Sequence, residues 1–234
     1  MSSSLQNKIY LFGDSFIHGC GGDITSDGKL KGISYYLEKE NIKVHDYSVQ
    51  GCSNESTFDN FLNSFSHMTY ESDGNVFVVV GITSFLRDKL PYISVPTQWS
   101  RNHIDNKVET DHPTISINET DEMLKDYIAF GYNEEYYQTL NDLFLIKINN
   151  IFCNLDNVTD YLFVYTVEDY KIPSCIDESK FLYKESLVSK FEKLNDKSYF
   201  EHVSLDDPYF TGKTHLSSKG YKVVTKDIHD IFYT

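Results

Sequence analysis

Apolar runs alternate with amphipathic stretches along most of this chain. Residues 76–80 are five consecutive apolar side chains, mostly β-branched, which is typical of a central strand buried on both faces. Further strands are predicted at residues 9–12, 43–47, 161–165 and, more weakly, 199–203. Amphipathic stretches predict helices at residues 33–40, 55–65, 134–152, 179–194 and 219–232. Strands that alternate with helices predict parallel pairing in a doubly wound α/β sheet.

Two of these helices begin at polar residues that suit an N-cap. Ser53 or Asn54 can cap the helix at residues 55–65, and Ser217 can cap the last helix. The sequence leaves the choice between Ser53 and Asn54 open.

The chain is expected to form one domain over residues 1–234, because no linker, repeat or low-complexity block divides it. Residues 91–131 interrupt the strand–helix rhythm and contain Trp99, Arg101 and His103. We expect this segment to be an insertion over the carboxyl edge of the sheet, where such loops select substrates. A surface excursion without a ligand is an equally weighted alternative.

Composition and charge exclude several functional classes. The chain has 35 acidic and 21 basic residues, a formal charge of −14, and such a surface repels nucleic acid and anionic membranes. The amino terminus lacks the apolar core of a signal peptide, and no window is long enough to span a bilayer, so a cytoplasmic protein is expected.

The four cysteines lack paired metal-ligand spacing and are expected to be reduced thiols. No cofactor or metal is therefore predicted. The less favoured alternative is a Cys/His metal site formed by Cys20, Cys52, His18 and His215.

The candidate chemistry begins where the first predicted strand ends, at Gly13-Asp14-Ser15. Open α/β sheets place their ligands at the carboxyl ends of the strands, so Ser15 is expected at a binding edge. His215 lies 200 positions further along the chain. A serine near one terminus and a histidine near the other predict a nucleophile and its general base, brought together by folding.

Four blocks in this order resemble the SGNH (GDSL-type) hydrolases, a superfamily of esterases and lipases with a flavodoxin-like sheet. The resemblance implies a three-layer α/β/α fold with a five-stranded, mainly parallel sheet. It also implies that Ser15 attacks an ester carbonyl, that His215 is the base, and that the backbone N–H groups of Ser15 and Gly51 stabilise the oxyanion. The blocks are Gly13-Asp14-Ser15, Gly51 within residues 48–54, Gly81-Ile82-Thr83, and His215-Leu216-Ser217.

The third block departs from the family pattern, because Thr83 stands where the family has an oxyanion-binding Asn. Thr83 can donate one hydrogen bond with a shorter reach, and Asn54 is a second candidate for the missing amide. Ser84 and Arg87 are further alternatives for this donor. Asp14, Ser84 and Arg87 are also the candidates for substrate contacts, and Asp14 is expected to tighten the turn.

The last block departs as well, since Gly212 occupies the position where the family has an Asp that orients the histidine. Asp206 or Asp207 could reach the imidazole if the intervening loop turns back. A Ser–His dyad with a backbone carbonyl as its orienting group is the alternative.

These observations predict a serine esterase acting on small acyl esters, with O-acetyl groups on carbohydrate as the favoured substrates. The alternative is a catalytically degraded member of the same fold that binds a partner or serves as a structural protein. A lipase for long acyl chains is less favoured, because no amphipathic membrane-docking stretch is evident. The divergent third block and the composition resemble stand-alone phage-encoded members, for which a virion location is a further expectation.

Overall fold

A computed structural model describes residues 7–70, 74–83, 88–89, 114–115, 134–195, 209–211 and 215–233 of this chain. Its main sheet has four parallel strands in the order β2-β1-β3-β6. The strands are Lys8–Phe12 (β1), Lys43–Asp46 (β2), Val76–Ile82 (β3), Asp88–Lys89 (β4), Thr114–Ile115 (β5), Val158–Tyr165 (β6), Phe210–Thr211 (β7) and His215–Leu216 (β8). The helices are Ser15–His18 (α1), Ile33–Lys39 (α2), Asn54–Tyr70 (α3), Glu134–Cys153 (α4), Leu187–Asn195 (α5) and Ser218–Tyr233 (α6).

The two central strands are buried along their whole length, as their apolar sequences require. Successive side chains of a strand point to opposite faces, so each strand supplies two cores. Ile9 and Leu11 of β1 join a core that also contains Phe191 of α5 and Ile228 of α6. Residues of β1 that point the other way join a second core, with side chains from α3 and α4. Helices therefore cover both faces, and the predicted three-layer α/β/α architecture is confirmed.

The strand count differs from the prediction. The main sheet has four strands, and the predicted fifth strand at residues 199–203 lies outside the described part of the chain. Beside the β6 edge, Phe181 forms a parallel bridge with Phe163, and the Leu182 N–H donates to the Phe163 carbonyl at 2.9 Å.

That bridge also corrects the helix predicted over residues 179–194. The segment forms a 3₁₀ turn at Glu178–Lys180, then an extended residue at Phe181, and only later α5. Phe181 and Leu182 are both buried against the sheet. Their apolar side chains fit a helical pattern, but docking against β6 also satisfies the backbone groups of the edge strand.

The helix caps follow the polar residues identified in the sequence. The Ser53 Oγ accepts from the Ser56 N–H at 3.2 Å, so Ser53 rather than Asn54 caps α3. The Ser217 Oγ accepts from the Gly220 N–H at 3.3 Å at the start of α6, as predicted.

Most of residues 91–131 lies outside the described residues. The described part is β5, which pairs antiparallel with β4. The placement of residues 91–131 over the carboxyl edge of the sheet stays a prediction, and so does the single-domain organisation. Of the helices that the structure describes, none combines the length and apolar character needed to cross a bilayer.

The carboxyl ends of the four parallel strands meet at one edge of the sheet. Gly13 follows β1, Tyr47 follows β2, Thr83 follows β3 and Thr166 follows β6. Residues 13–15 directly follow β1, so Ser15 lies at this edge, where open α/β sheets place their ligands.

Candidate active site

The turn between β1 and α1 presents Ser15. Gly13 has φ +147°, and a Cβ there would lie 2.6 Å from Ile17 Cγ1, so the turn requires glycine. The Asp14 carboxylate caps α1 by accepting from the Phe16 N–H at 3.0 Å. Ser15 is therefore the first residue of the helix, rather than its cap.

His215 lies in β8, which pairs antiparallel with β7. Its Nε2 is 2.9 Å from Ser15 Oγ, although the two residues are 200 positions apart. With the imidazole neutral and its proton on Nδ1, the Ser15 hydroxyl donates to Nε2. Ser15 is almost fully buried and His215 is half-buried, so the serine is shielded from solvent and the histidine is partly exposed to it.

Gly51 lies in an exposed loop held beside the turn that carries Ser15. The Val49 N–H donates to the Gly13 carbonyl at 2.9 Å, and the Cys52 N–H donates to the Val49 carbonyl at 3.1 Å. Gly51 has φ +77°, and a Cβ built on it would meet no atom within 4 Å. The backbone at Gly51 therefore borders open space.

Thr83 does not present its hydroxyl to that space. Its Oγ1 donates to Asp14 Oδ2 at 2.8 Å, and its backbone N–H donates to Asn54 Oδ1 at 2.9 Å. Thr83 is almost fully buried. A hydroxyl has one proton, so this geometry leaves Thr83 without a donor for an oxyanion, contrary to the candidate role considered from the sequence.

Asn54 is occupied in the same way. Its Nδ2 donates to the Thr83 carbonyl at 3.2 Å and to Asn141 Oδ1 at 2.7 Å. The Asn54 side chain thus bonds both the N–H and the carbonyl of Thr83, and both protons of its amide are donated. The structure argues against Asn54 as the substitute oxyanion donor, and it adds Asn141 of α4, which the sequence did not single out.

Asp14 is fully buried and serves the turn rather than the solvent. Besides the helix cap, it accepts from Thr83 Oγ1 and, at 3.2 Å, from Thr166 Oγ1. A carboxylate enclosed in this way has no exposed surface with which to contact a substrate, contrary to the substrate role considered for it. Thr166 was not among the residues predicted for the site, yet its place directly after the predicted strand at residues 161–165 was a usable signal.

Several predicted site residues lie outside the described part of the chain. They are Ser84, Arg87, Asp206, Asp207 and Gly212. Their roles in substrate contact and in orienting the imidazole stay predictions.

A second polar group, also missed from the sequence, follows β2. Ser48 Oγ lies 3.4 Å from His18 Nδ1 and donates to Asp46 Oδ1. Burial raises the pKa of Asp46, although hydrogen bonds from Ser48 and Ser34 and the nearby His18 favour its charged form.

The environment of Cys20 disfavours a reactive thiolate. The four cysteines, all among the described residues, form no disulfide, and Cys20 and Cys52 are buried. Burial, with smaller contributions from Asp14 and Asp46, raises the pKa of Cys20 to about 11, so the thiol stays protonated at neutral pH. No group of three or more His, Cys, Asp or Glu side chains in the described ranges is arranged to hold a metal ion.

No protein-family model and no curated protein matches this sequence. Similar solved structures include a lipolytic protein of the G-D-S-L family from Veillonella parvula, 15% identical, covering 96% of this chain and 97% of that chain with a TM-score of 0.43. A lipase from a goat rumen metagenome is 15% identical and covers 97% and 98%, with a TM-score of 0.45. A lipase/acylhydrolase from Enterococcus faecalis is 10% identical and covers 95% and 93%, with a TM-score of 0.41. At these identities and TM-scores, function has to be argued from the chain's own residues.

Proposed function

We propose that this chain is a serine ester hydrolase with Ser15 as nucleophile and His215 as general base. The observation that carries the proposal is the 2.9 Å separation between His215 Nε2 and Ser15 Oγ at the carboxyl edge of the sheet. That distance lies within the hydrogen-bonding reach at which an imidazole can accept the hydroxyl proton. A serine hydroxyl is a weak nucleophile without such a base.

The reaction takes place in two halves. Ser15 Oγ attacks the ester carbonyl carbon while its proton passes to His215 Nε2, and the resulting imidazolium donates that proton to the leaving alcohol. Water then attacks the acyl-enzyme and gives a proton to the same nitrogen, which returns it to Ser15 as the carboxylic acid leaves.

The oxyanion is held by backbone groups in this proposal. The first amides of a helix have no carbonyl partner within it, so the N–H of Ser15, the first residue of α1, is the first proposed donor. The N–H of Gly51 is the second donor, on the loop that Gly13 and Val49 tie to the turn. Two donors instead of three predict a slower enzyme, because one oxyanion donor is worth about 10²–10³ in rate.

The acid and the substrate remain proposals based on the sequence. Asp206 or Asp207 is proposed to accept from His215 Nδ1, with a dyad as the alternative. Small acyl esters, among them O-acetyl groups on carbohydrate, are the proposed substrates. This choice rests on the resemblance to SGNH hydrolases and on the aromatic and polar residues of the 91–131 segment.

Removal of the nucleophile tests the function directly. We expect purified wild-type protein to hydrolyse p-nitrophenyl acetate and Ser15→Ala to lose at least about 10³-fold in kcat/KM. Ser64→Ala is the matched control, because Ser64 is as buried as Ser15 but bonds only to carbonyls of its own helix, α3. Equal hydrolysis by Ser15→Ala and the wild type would contradict the proposal.

A catalytically inactive binding or structural protein is the second candidate function. The observation that favours it is that Thr83 and Asn54, among the described residues, donate their side-chain protons to other protein groups instead of to an oxyanion. The two candidates differ in one chemical property, the reactivity of the Ser15 hydroxyl.

A further inference from the structure

Gly21 packs directly against the proposed catalytic histidine. A Cβ built on Gly21 would lie 2.6 Å from His215 Cβ and 2.9 Å from the Leu216 carbonyl oxygen. Ordinary contacts of this kind begin at 3.4 Å, so the backbone of Gly21 already fills the space behind the imidazole. Gly21 also has φ +87°, a conformation that suits glycine.

The loop that carries Gly21 is fixed on both sides to α6. The Tyr221 hydroxyl donates to the Cys20 carbonyl at 2.7 Å, and the Asp23 N–H donates to Ser218 Oγ at 2.7 Å. These ties lie one residue before Gly21 and two residues after it. Because α6 starts three residues after His215, loop and histidine are anchored to the same helix.

The base of the loop is closed by direct contact between backbones. A Cβ on Gly19 would lie 2.5 Å from Gly32 Cα, so neither glycine can carry a side chain without a shift. Within the loop, Ile24 forms an antiparallel bridge with Leu30. The loop therefore cannot swing away from His215 without breaking several of these contacts.

The other side of the histidine is held by the nucleophile's own helix. The Phe16 ring lies next to Ser15 in sequence and packs against the imidazole with centroids 5.4 Å apart and a tilt of 39°. Phe16 is almost fully buried, so its position is set by the core.

We propose that Gly21 is a positioning residue, whose backbone supports His215 from behind and holds Nε2 on the Ser15 hydroxyl. This inference rests on the proposed ester hydrolysis and adds to it the element that sets the geometry of the base. The support acts on the Cβ side of the ring, so it is separate from the acid proposed to accept from Nδ1.

The test compares two glycines of the same loop. Gly28 has φ +85°, and a Cβ there would meet nothing within 4 Å, so Gly21→Ala and Gly28→Ala share the backbone strain but only the first presses on His215. We expect Gly21→Ala to lower kcat about 10- to 100-fold with little change in KM, since a displacement near 1 Å can cost about 10²-fold. Gly28→Ala should keep kcat within about twofold of the wild type.

A second readout does not require activity. In the proton NMR spectrum, the His215 ring signals, assigned with His215→Gln, should shift in Gly21→Ala and stay in place in Gly28→Ala. Equal kcat in the two variants together with unshifted His215 signals would overturn the inference. An inactive wild-type protein would refute the proposed hydrolysis alone, because the NMR comparison would still decide whether Gly21 holds the ring.

A variant that leaves the glycine intact covers the case in which Gly21→Ala does not fold. Tyr221→Phe removes the hydroxyl that ties Cys20 to α6. Its matched control is Tyr183→Phe, which removes a hydroxyl that donates to Asp227 of the same helix, away from the loop. We expect kcat to fall several-fold only in Tyr221→Phe. Equal kcat in both tyrosine variants would contradict the proposal that the Gly21 loop supports His215.

Discussion

Two serine–histidine pairs lie near the ends of adjacent strands of this sheet, and their serine hydroxyls donate to different groups. After β1, Ser15 Oγ lies 2.9 Å from His215 Nε2. After β2, Ser48 Oγ lies 3.4 Å from His18 Nδ1 but donates its proton to Asp46. A hydroxyl whose proton goes to a carboxylate gives the imidazole nothing to accept, so His18 can only donate to Ser48.

The aspartates explain the difference. Asp46 turns its carboxylate towards the serine two residues later, whereas Asp14 caps α1 and accepts from Thr83 and Thr166. Because Asp14 accepts hydrogen bonds from other groups, the Ser15 hydroxyl can donate to His215. Proximity of a serine and a histidine is therefore not sufficient for catalysis, since the group that accepts the serine's proton decides which pair can react.

Replacing each histidine should separate the two pairs most strongly. We expect His215→Gln to lower kcat/KM for p-nitrophenyl acetate by about 10³-fold or more, because Ser15 loses its base. His18→Gln should stay within about twofold of the wild type. Comparable losses in both variants would mean that the pair after β2 takes part in the reaction.

Removing the Thr83 hydroxyl tests how Asp14 is held. Thr83→Val keeps the shape but leaves a buried carboxylate short of one donor, so the free energy of unfolding should fall by about 1–3 kcal/mol in urea titrations. Thr83→Ser should keep most of the wild-type free energy of unfolding, because serine retains the hydroxyl.

The same variant distinguishes the two roles considered for Thr83. If its hydroxyl bound the oxyanion instead, Thr83→Val would cost about 10²–10³ in kcat and leave stability nearly unchanged. That result would contradict the assignment of Thr83 to Asp14.

The strands and the proximity of Ser15 and His215 could be predicted from the sequence because both depend on local signals. Buried parallel strands are continuous apolar runs, as at residues 76–80, and the end of such a run places the next residues at the binding edge. Ser15 lies at such a position. The block around His215 is a short local motif whose place in the order of the four blocks resembles the SGNH hydrolases, and that resemblance predicted the meeting of the two residues.

The hydrogen bonds of the site could not be predicted in the same way. Thr83 had several neighbours to which it could donate, and the choice of Asp14 depends on side chains contributed by β1, β3 and the end of β6. The helix expected over residues 179–194 failed for a related reason, since Phe181 and Leu182 fit a helical pattern but dock on the sheet edge at Phe163. Competition between partners distant in sequence leaves no local pattern.

The most direct test of the account is covalent labelling with a fluorophosphonate, followed by mass mapping of the peptides. We expect one adduct on Ser15, lost in His215→Gln and kept in His18→Gln, with Ser48 unmodified. A protein that remains unlabelled, or that carries the adduct on Ser48, would contradict the claim that the pair after β1 is the reactive one.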